Sequence, residues 1–166
     1  MKSVAVCVGL VLVGLMSTAD ARPVVVKAAG GALLSNEVRP GMFASIEIPI
    51  SEDYPTHLSP FIEVYSKDGT TMIPLGASLI YKASFSERGG TVFFGAGGGL
   101  LMIRGEPGLG YATGTSGMIG VMGGLSFGLG DRLGVLVQGR WLRPFEDETA
   151  ENELGAHIGL QFDLGE

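Results

Sequence analysis

Histidine, serine and glutamate occur at even spacing within one short segment of this 166-residue chain. An extended strand would place His57, Ser59 and Glu63 on one face, because alternate side chains of a strand point the same way. These are the residue types of hydrolysis, in which serine attacks, histidine takes the proton and a carboxylate orients the histidine. Residues two apart on a strand are also ordinary neighbours, and no separate nucleophile motif accompanies them. We therefore predict no catalytic residue and keep hydrolysis as an alternative.

The sequence offers little else that would bind a metal or a cofactor. The two histidines, His57 and His157, do not cluster, and Cys7 is the single cysteine. Such a set does not form a metal site. The glycine-rich run at 95–99 is not followed by the Lys-Ser/Thr pair of a phosphate-binding loop or by a helical pattern. We expect neither a metal nor a cofactor.

Composition excludes several classes of protein. The chain is 46% hydrophobic and 17% charged, which excludes a disordered protein, and its length suits one domain. Its 28 glycines show no Gly-X-Y period, so it is not collagen-like. The formal net charge of −6 offers no basic stripe for a phosphate backbone, so we expect no nucleic-acid partner.

The first residues have the features of a secretory signal. Lys2 provides a positive start, Val4 to Met16 is an uncharged apolar run, and the segment ends in the small-x-small pattern at Ala19 and Ala21. The run is shorter than the ~20 residues of a membrane-spanning helix. We predict a cleaved signal peptide at 1–21 and a single domain at 22–166, without cysteine because Cys7 is removed.

Beyond the signal, apolar residues recur at period two, which indicates β-strands. The clearest segment is 73–85, where one face is apolar: Ile73, Leu75, Ala77, Leu79, Tyr81, Ala83 and Phe85. The opposite face is mostly small or polar: Pro74, Gly76, Ser78, Ile80, Lys82 and Ser84. The same alternation predicts five further strands: 44–50, 61–65, 119–127, 133–141 and 154–164. Segments 24–35 and 91–104 complete eight strands, but Gly and Ala leave their faces unassigned.

Short, turn-like connections join these eight segments, and none is long enough for a crossover helix. Consecutive strands therefore pair antiparallel, and eight such strands close into a barrel. The predicted fold is all-β, an eight-stranded antiparallel up-and-down barrel.

Charge decides which face of this barrel meets water. The polar face carries only about one charged group per strand, and most acids lie in the connections. This is the pattern of a transmembrane β-barrel, with an apolar exterior and a polar lumen in which acids and bases pair. The predicted lumen network comprises Glu47, Glu63, Lys82, Gln138, Arg140, His157 and Asp163. We expect His157 to form a structural hydrogen bond with Glu47 or Glu63.

Three segments, 72–82, 93–101 and 124–141, resemble small bacterial outer-membrane barrels of the OmpA and opacity-protein type, and the resemblance extends over about 24–164. It implies an outer-membrane location, periplasmic termini, outer loops at 36–40, 67–70, 105–110 and 144–153, and lumen positions for Gln138 and Arg140. The expected membrane-interface aromatics are Tyr81, Phe85, Tyr111 and Trp141. The expected partners are outer-membrane lipid, lipopolysaccharide and the barrel-insertion machinery, and the expected state is a monomer.

These observations predict a structural or surface-interaction role in the bacterial envelope. Met122, Leu136, Glu63 and Arg140 would fill the lumen, so a general diffusion pore is not expected. One alternative is an enzyme acting on outer-leaflet lipid, similar to a lipid A deacylase, with Ser59 and His57 as its residues. The other is a secreted soluble barrel, similar to a lipocalin, with the Leu79 and Tyr81 face turned inward around an apolar ligand.

Overall fold

The computed structural model describes residues 24–35, 37–50, 54–86, 90–105, 113–145 and 152–165. These residues form eight strands: β1 (Val25–Leu33), β2 (Arg39–Pro49), β3 (Thr56–Lys67), β4 (Thr70–Ser86), β5 (Gly90–Gly105), β6 (Gly114–Gly128), β7 (Leu133–Pro144) and β8 (Glu153–Asp163). Each strand pairs antiparallel with its neighbours in sequence, and β8 pairs with β1. The predicted eight-stranded up-and-down barrel is confirmed. In the described residues, no helix is long and apolar enough to cross a membrane. The predicted signal peptide at 1–21 lies outside them.

The alternation predicted for the clearest strands is confirmed. In β7, Leu136, Gln138 and Arg140 are buried inside the barrel, whereas Val137 between them is exposed. In β4, Ser78 and Ile80 are likewise buried and Leu79 is exposed. One face of each strand therefore lines the lumen and the other forms the outer wall.

The structure assigns the faces of β1 and β5, which the sequence left open. Lys27 and Leu33 of β1 point inward, as do Phe93 and Leu101 of β5. The glycines of β5 allow close packing against β4, because a Cβ at Gly97 would lie 2.6 Å from the hydroxyl of Ser78.

Several strands are longer than the sequence pattern indicated. β2 begins at Arg39, so part of the predicted loop at 36–40 belongs to a strand, and β3 begins at Thr56 rather than near 61. β6 begins at Gly114 rather than near 119. The backbone ladder continues where glycine, threonine or serine interrupts the apolar alternation, because ladder hydrogen bonds do not depend on side-chain polarity.

The inner and outer surfaces of the barrel differ in chemistry. The buried hydrophobic side chains form a single cluster: Ala29, Leu33, Phe43, Phe61, Tyr65, Met72, Ile80, Phe93, Leu101, Met118, Met122, Leu136 and Leu142. Exposed large apolar side chains project from the outside of seven strands, examples being Met42, Ile62, Leu79, Phe94, Val121, Val137 and Ile158. The outer wall is therefore apolar, and the buried charges of the described strands lie within the barrel.

The connection between β3 and β4 is a two-residue hairpin at Asp68 and Gly69. Both residues have positive φ, 48° and 76°. This conformation matches the type I′ turn that Asp-Gly pairs favour between twisted strands. The loop predicted at 67–70 is thus narrowed to its two central residues, Asp68 and Gly69.

Gly69→Ala should lower the free energy of unfolding by about 1–2 kcal/mol, because an L-residue pays a steric penalty in the left-handed region. The measurement is urea unfolding of the protein refolded into lipid vesicles. Gly130→Ala is the matched control, since a Cβ at this turn glycine meets nothing within 4 Å and its φ is not positive. Equal stability of the two variants would contradict the assigned turn.

Candidate functional site

Two groups of polar side chains meet inside the barrel. The first, the Arg140 cluster, contains Glu63, Tyr65, Gln138, Arg140 and His157. The second, the lysine cluster, contains Lys27, Glu47 and Lys82. Six of these eight residues were predicted from the sequence as lumen residues.

The centre of the Arg140 cluster is an ion pair between opposite walls of the barrel. Arg140 Nη1 of β7 donates to Glu63 Oε1 of β3. The guanidinium carbon of Arg140 also lies 3.7 Å from the centroid of the Phe61 ring, in a cation–π contact. Because β3 and β7 stand four strands apart in a ring of eight, this pair ties the two sides of the lumen together.

Tyr65 connects this ion pair to His157. Its hydroxyl donates to Glu63 Oε2 at 2.7 Å and also contacts His157 Nε2. A phenol has one proton to donate, so the proton of the second bond comes from Nε2 of His157. His157 Nδ1 is then the acceptor that faces the side-chain amide of Gln138 at 3.5 Å. The direct pairing of His157 with Glu47 or Glu63 was wrong, because Tyr65 lies between the imidazole and the carboxylate.

Strand geometry explains how these side chains meet. Glu63 and Tyr65 are two residues apart on β3, so both point inward. Gln138 and His157 are direct cross-strand partners on β7 and β8, which brings their side chains to the same face. The result is a chain of hydrogen bonds across three strands in which one anion balances one cation.

The lysine cluster lies toward the end of the barrel that carries the strand termini Val25 and Asp163. Lys27 Nζ pairs with Glu47 Oε1, and Lys82 Nζ pairs with Glu47 Oε2. Lys27 Nζ also lies 3.9 Å from the centroid of the Phe93 ring. A single carboxylate therefore binds two ammonium groups.

Asp163 stays apart from both clusters. Its Oδ1 accepts a hydrogen bond from the backbone N–H of Gly165 at 2.9 Å.

Sequence reasoning missed Lys27 and Tyr65 as members of the clusters. Lys27 is the single charged residue in an apolar and small-residue strand, which was a usable signal that it faces the lumen. Tyr65 shares the inward face with Glu63, but its role as a bridge depends on contacts across the barrel.

Aromatic residues on the outer wall form pairs near the end of the barrel where β4 and β6 end and β5 begins. Tyr81 lies beside Phe94 with ring centroids 5.2 Å apart, and Phe85 meets Phe127 edge to face at 5.8 Å. Neither Phe94 nor Phe127 was predicted. Trp141 lies on the outer face of β7, opposite Val121 and Leu154 of the flanking strands: Val121↔Trp141 and Trp141↔Leu154. Tyr111 lies outside the described residues.

The structure does not assemble His57, Ser59 and Glu63 into a hydrolytic site. All three lie on the inward face of β3, as the spacing indicated, and Ser59 is only 2% exposed. The Glu63 carboxylate is bound by Arg140 and Tyr65. The serine therefore faces the packed interior rather than a substrate, and the acid is already engaged.

Tyr65→Phe should lower the free energy of unfolding by about 1–3 kcal/mol, because it leaves a buried carboxylate oxygen and an imidazole N–H without their shared partner. Urea unfolding in lipid vesicles measures this loss. Tyr81→Phe removes a hydroxyl from the outer wall and should change stability by less than about 0.5 kcal/mol. A Tyr65→Phe protein as stable as the unsubstituted protein would show that the bridge contributes nothing.

Comparison with known proteins places the fold among small barrels. No protein-family model and no curated protein sequence matches the chain. Among solved structures, Neisserial surface protein A has 17% sequence identity and a TM-score of 0.65, covering 86% of this chain and 96% of that one. The N-terminal β-barrel domain of Pseudomonas aeruginosa OprF has 16% identity and a TM-score of 0.62, covering 84% and 97%. A de novo designed transmembrane β-barrel has 13% identity and a TM-score of 0.54, covering 88% and 98%. At these identities the likeness concerns the fold, which is that of small eight-stranded outer-membrane barrels.

Proposed function

We propose that the protein is a bacterial outer-membrane β-barrel with a structural or surface-interaction role in the envelope. The observation that carries this proposal is the reversed polarity of the barrel. Large apolar side chains cover the outside, while Lys27, Glu47, Glu63 and Arg140 are buried inside. In a bilayer this arrangement is favourable, because lipid solvates the wall and the closed sheet leaves no backbone group without a partner.

A soluble lipocalin-like barrel requires the opposite arrangement. That alternative needs Leu79 and Tyr81 to point inward, but their side chains lie on the outer wall and are 54% and 41% exposed. Monomeric soluble proteins rarely expose a continuous apolar surface of this kind. The soluble alternative is therefore wrong in its central requirement, an inward-facing Leu79 and Tyr81.

The fold of the structural neighbours supports the same proposal, since it is one that outer-membrane barrels adopt. In this proposal residues 1–21 direct export and are removed, the termini face the periplasm, and the loops at 36–40, 67–70, 105–110 and 144–153 face outward. Outer-membrane lipid, lipopolysaccharide and the insertion machinery are the proposed partners of a monomeric barrel. Tyr81, Phe85 and Trp141 would lie at the membrane interfaces, where amphipathic rings are favourable.

We further propose that the lumen does not serve general diffusion. Eight strands leave an interior that side chains can fill. Met122 and Leu136 project into it beside the Arg140 cluster, and the lysine cluster occupies the other end. The functional surfaces of such a barrel are its loops and its wall.

The proposal is tested by fractionating cells that produce the full chain and separating the membrane fraction on a gel with and without boiling. A closed barrel resists detergent until heated, so we expect a band in the outer membrane whose mobility changes on boiling. Mass spectrometry of the same band is expected to show that the N-terminus of the protein is residue 22. A protein found in the soluble periplasm would overturn the proposal.

A further inference from the structure

The lysine cluster contains more positive charge than negative charge. Lys27 and Lys82 both pair with Glu47, so two cations share one anion. The Arg140 cluster, by contrast, pairs one arginine with one glutamate. A buried net charge is costly in a medium of low dielectric constant unless another charge compensates it.

No other described acid supplies the missing charge. Glu63 is engaged by Arg140 and Tyr65. Asp163 lies at the end of β8 and, among the described residues, forms no ion pair with Lys27 or Lys82, which both pair with Glu47. His57, the other titratable group near the cluster, carries no negative charge in either of its common states. Among the described residues, the lysine cluster thus retains an excess of one positive charge.

The same region has more hydrogen-bond donors than acceptors. Ser45 is the cross-strand partner of Lys27, so the two side chains lie on the same inward face. The Ser45 hydroxyl is buried and has no hydrogen-bond partner among the described residues. Each lysine ammonium has three N–H donors and makes one ion pair with Glu47. Surplus donors around a surplus positive charge are the conditions that favour an acceptor carrying a negative charge.

We infer that the lysine cluster binds a small monovalent anion, chloride being the most abundant of this class, between Lys27, Lys82 and Ser45. Chloride accepts hydrogen bonds without donating any, and its single charge equals the excess of the cluster. The Lys27 side chain is 1% exposed and the Lys82 side chain is 19% exposed, so the anion reaches the cluster from the side on which Lys82 lies. The site lies inside the barrel and does not depend on the role of the loops.

The test is urea unfolding of the full barrel, refolded into phosphatidylcholine vesicles, in mixtures of sodium chloride and sodium gluconate at constant ionic strength. Gluconate is too bulky for an interior lined by side chains, so it serves as the non-binding salt. An anion that binds the folded state alone lowers the unfolding constant in proportion to its concentration. Above the dissociation constant, we expect each tenfold rise in chloride to lower the unfolding constant tenfold.

Lys82→Met removes the excess charge and should abolish this chloride dependence. Ser45→Ala removes one donor and should weaken it. Lys67→Met is the matched control, because Lys67 lies at the end of β3 and pairs with Glu37 at 3.5 Å, away from the lysine cluster. The Lys67→Met protein should retain the full dependence.

Two results would overturn the inference: equal unfolding in chloride and gluconate, or an unchanged chloride dependence in Lys82→Met. If Lys82→Met does not fold, crystals of the unsubstituted protein grown in sodium bromide provide a second test. Anomalous scattering should then locate a bromide ion within hydrogen-bond distance of Lys27 and Ser45. Ordered bromide confined to the protein surface would count equally against the site.

Discussion

Replacing Arg140 by methionine is expected to lower the free energy of unfolding by about 3–5 kcal/mol, because it leaves the buried carboxylate of Glu63 without its cation. The cost arises from the unpaired charge rather than from lost packing, since methionine retains much of the arginine stem. The loss of the contact with the Phe61 ring adds to it. Urea unfolding in lipid vesicles measures the change.

The double substitution Glu63→Gln with Arg140→Met separates charge from packing. Removing both charges eliminates the unpaired carboxylate, so the double variant should regain most of the stability lost in Arg140→Met. Arg143→Met is the control on the same strand. Arg143 is exposed, and its substitution should change stability by no more than about 0.5 kcal/mol. A double variant less stable than Arg140→Met would show that the hydrogen bonds of Glu63 outweigh the cost of its unpaired charge.

Replacing Ile158 by lysine should distinguish a lipid-facing wall from a surface in water. The Ile158 side chain is 68% exposed on the outside of β8. In water such a substitution is nearly neutral, but on the lipid face of a barrel a lysine costs about 2–4 kcal/mol at the bilayer midplane. We expect a loss of this size in vesicles.

Leu129→Lys is the matched control for this substitution. Leu129 is similarly exposed, at 63%, but it lies in the turn between β6 and β7 rather than in a strand. The cost of a charge falls toward zero near the membrane interfaces, so this variant should lose less than about 1 kcal/mol. Equal and small effects of both lysines would mean that the outer wall does not contact lipid.

Much of the fold could be predicted because its signals are local. In β4 and β7 apolar residues recur at nearly every second position, and short connections force consecutive strands to pair. The Asp-Gly pair at 68–69 marks a hairpin for the same local reason. In β1 and β5 both faces carry glycine and alanine, so the sequence shows no clear difference in polarity between the two faces. The pairing of these strands in the closed sheet decides which face points inward.

The number of strands and their order could be predicted from the sequence, because period-two alternation and chain connectivity are properties of neighbouring residues. An apolar outer surface was the favoured prediction, and the exposure of Leu79 and Tyr81 in the structure decided it against the soluble alternative. Which charges meet was decided by the tertiary structure alone. Arg140 and Glu63 come from opposite walls, and Tyr65 rather than Glu63 meets His157. Glu47 binds both Lys27 and Lys82. These contacts depend on the stagger between strands and on the length of each side chain across the lumen, and neither quantity is encoded in the spacing of residues along a single strand.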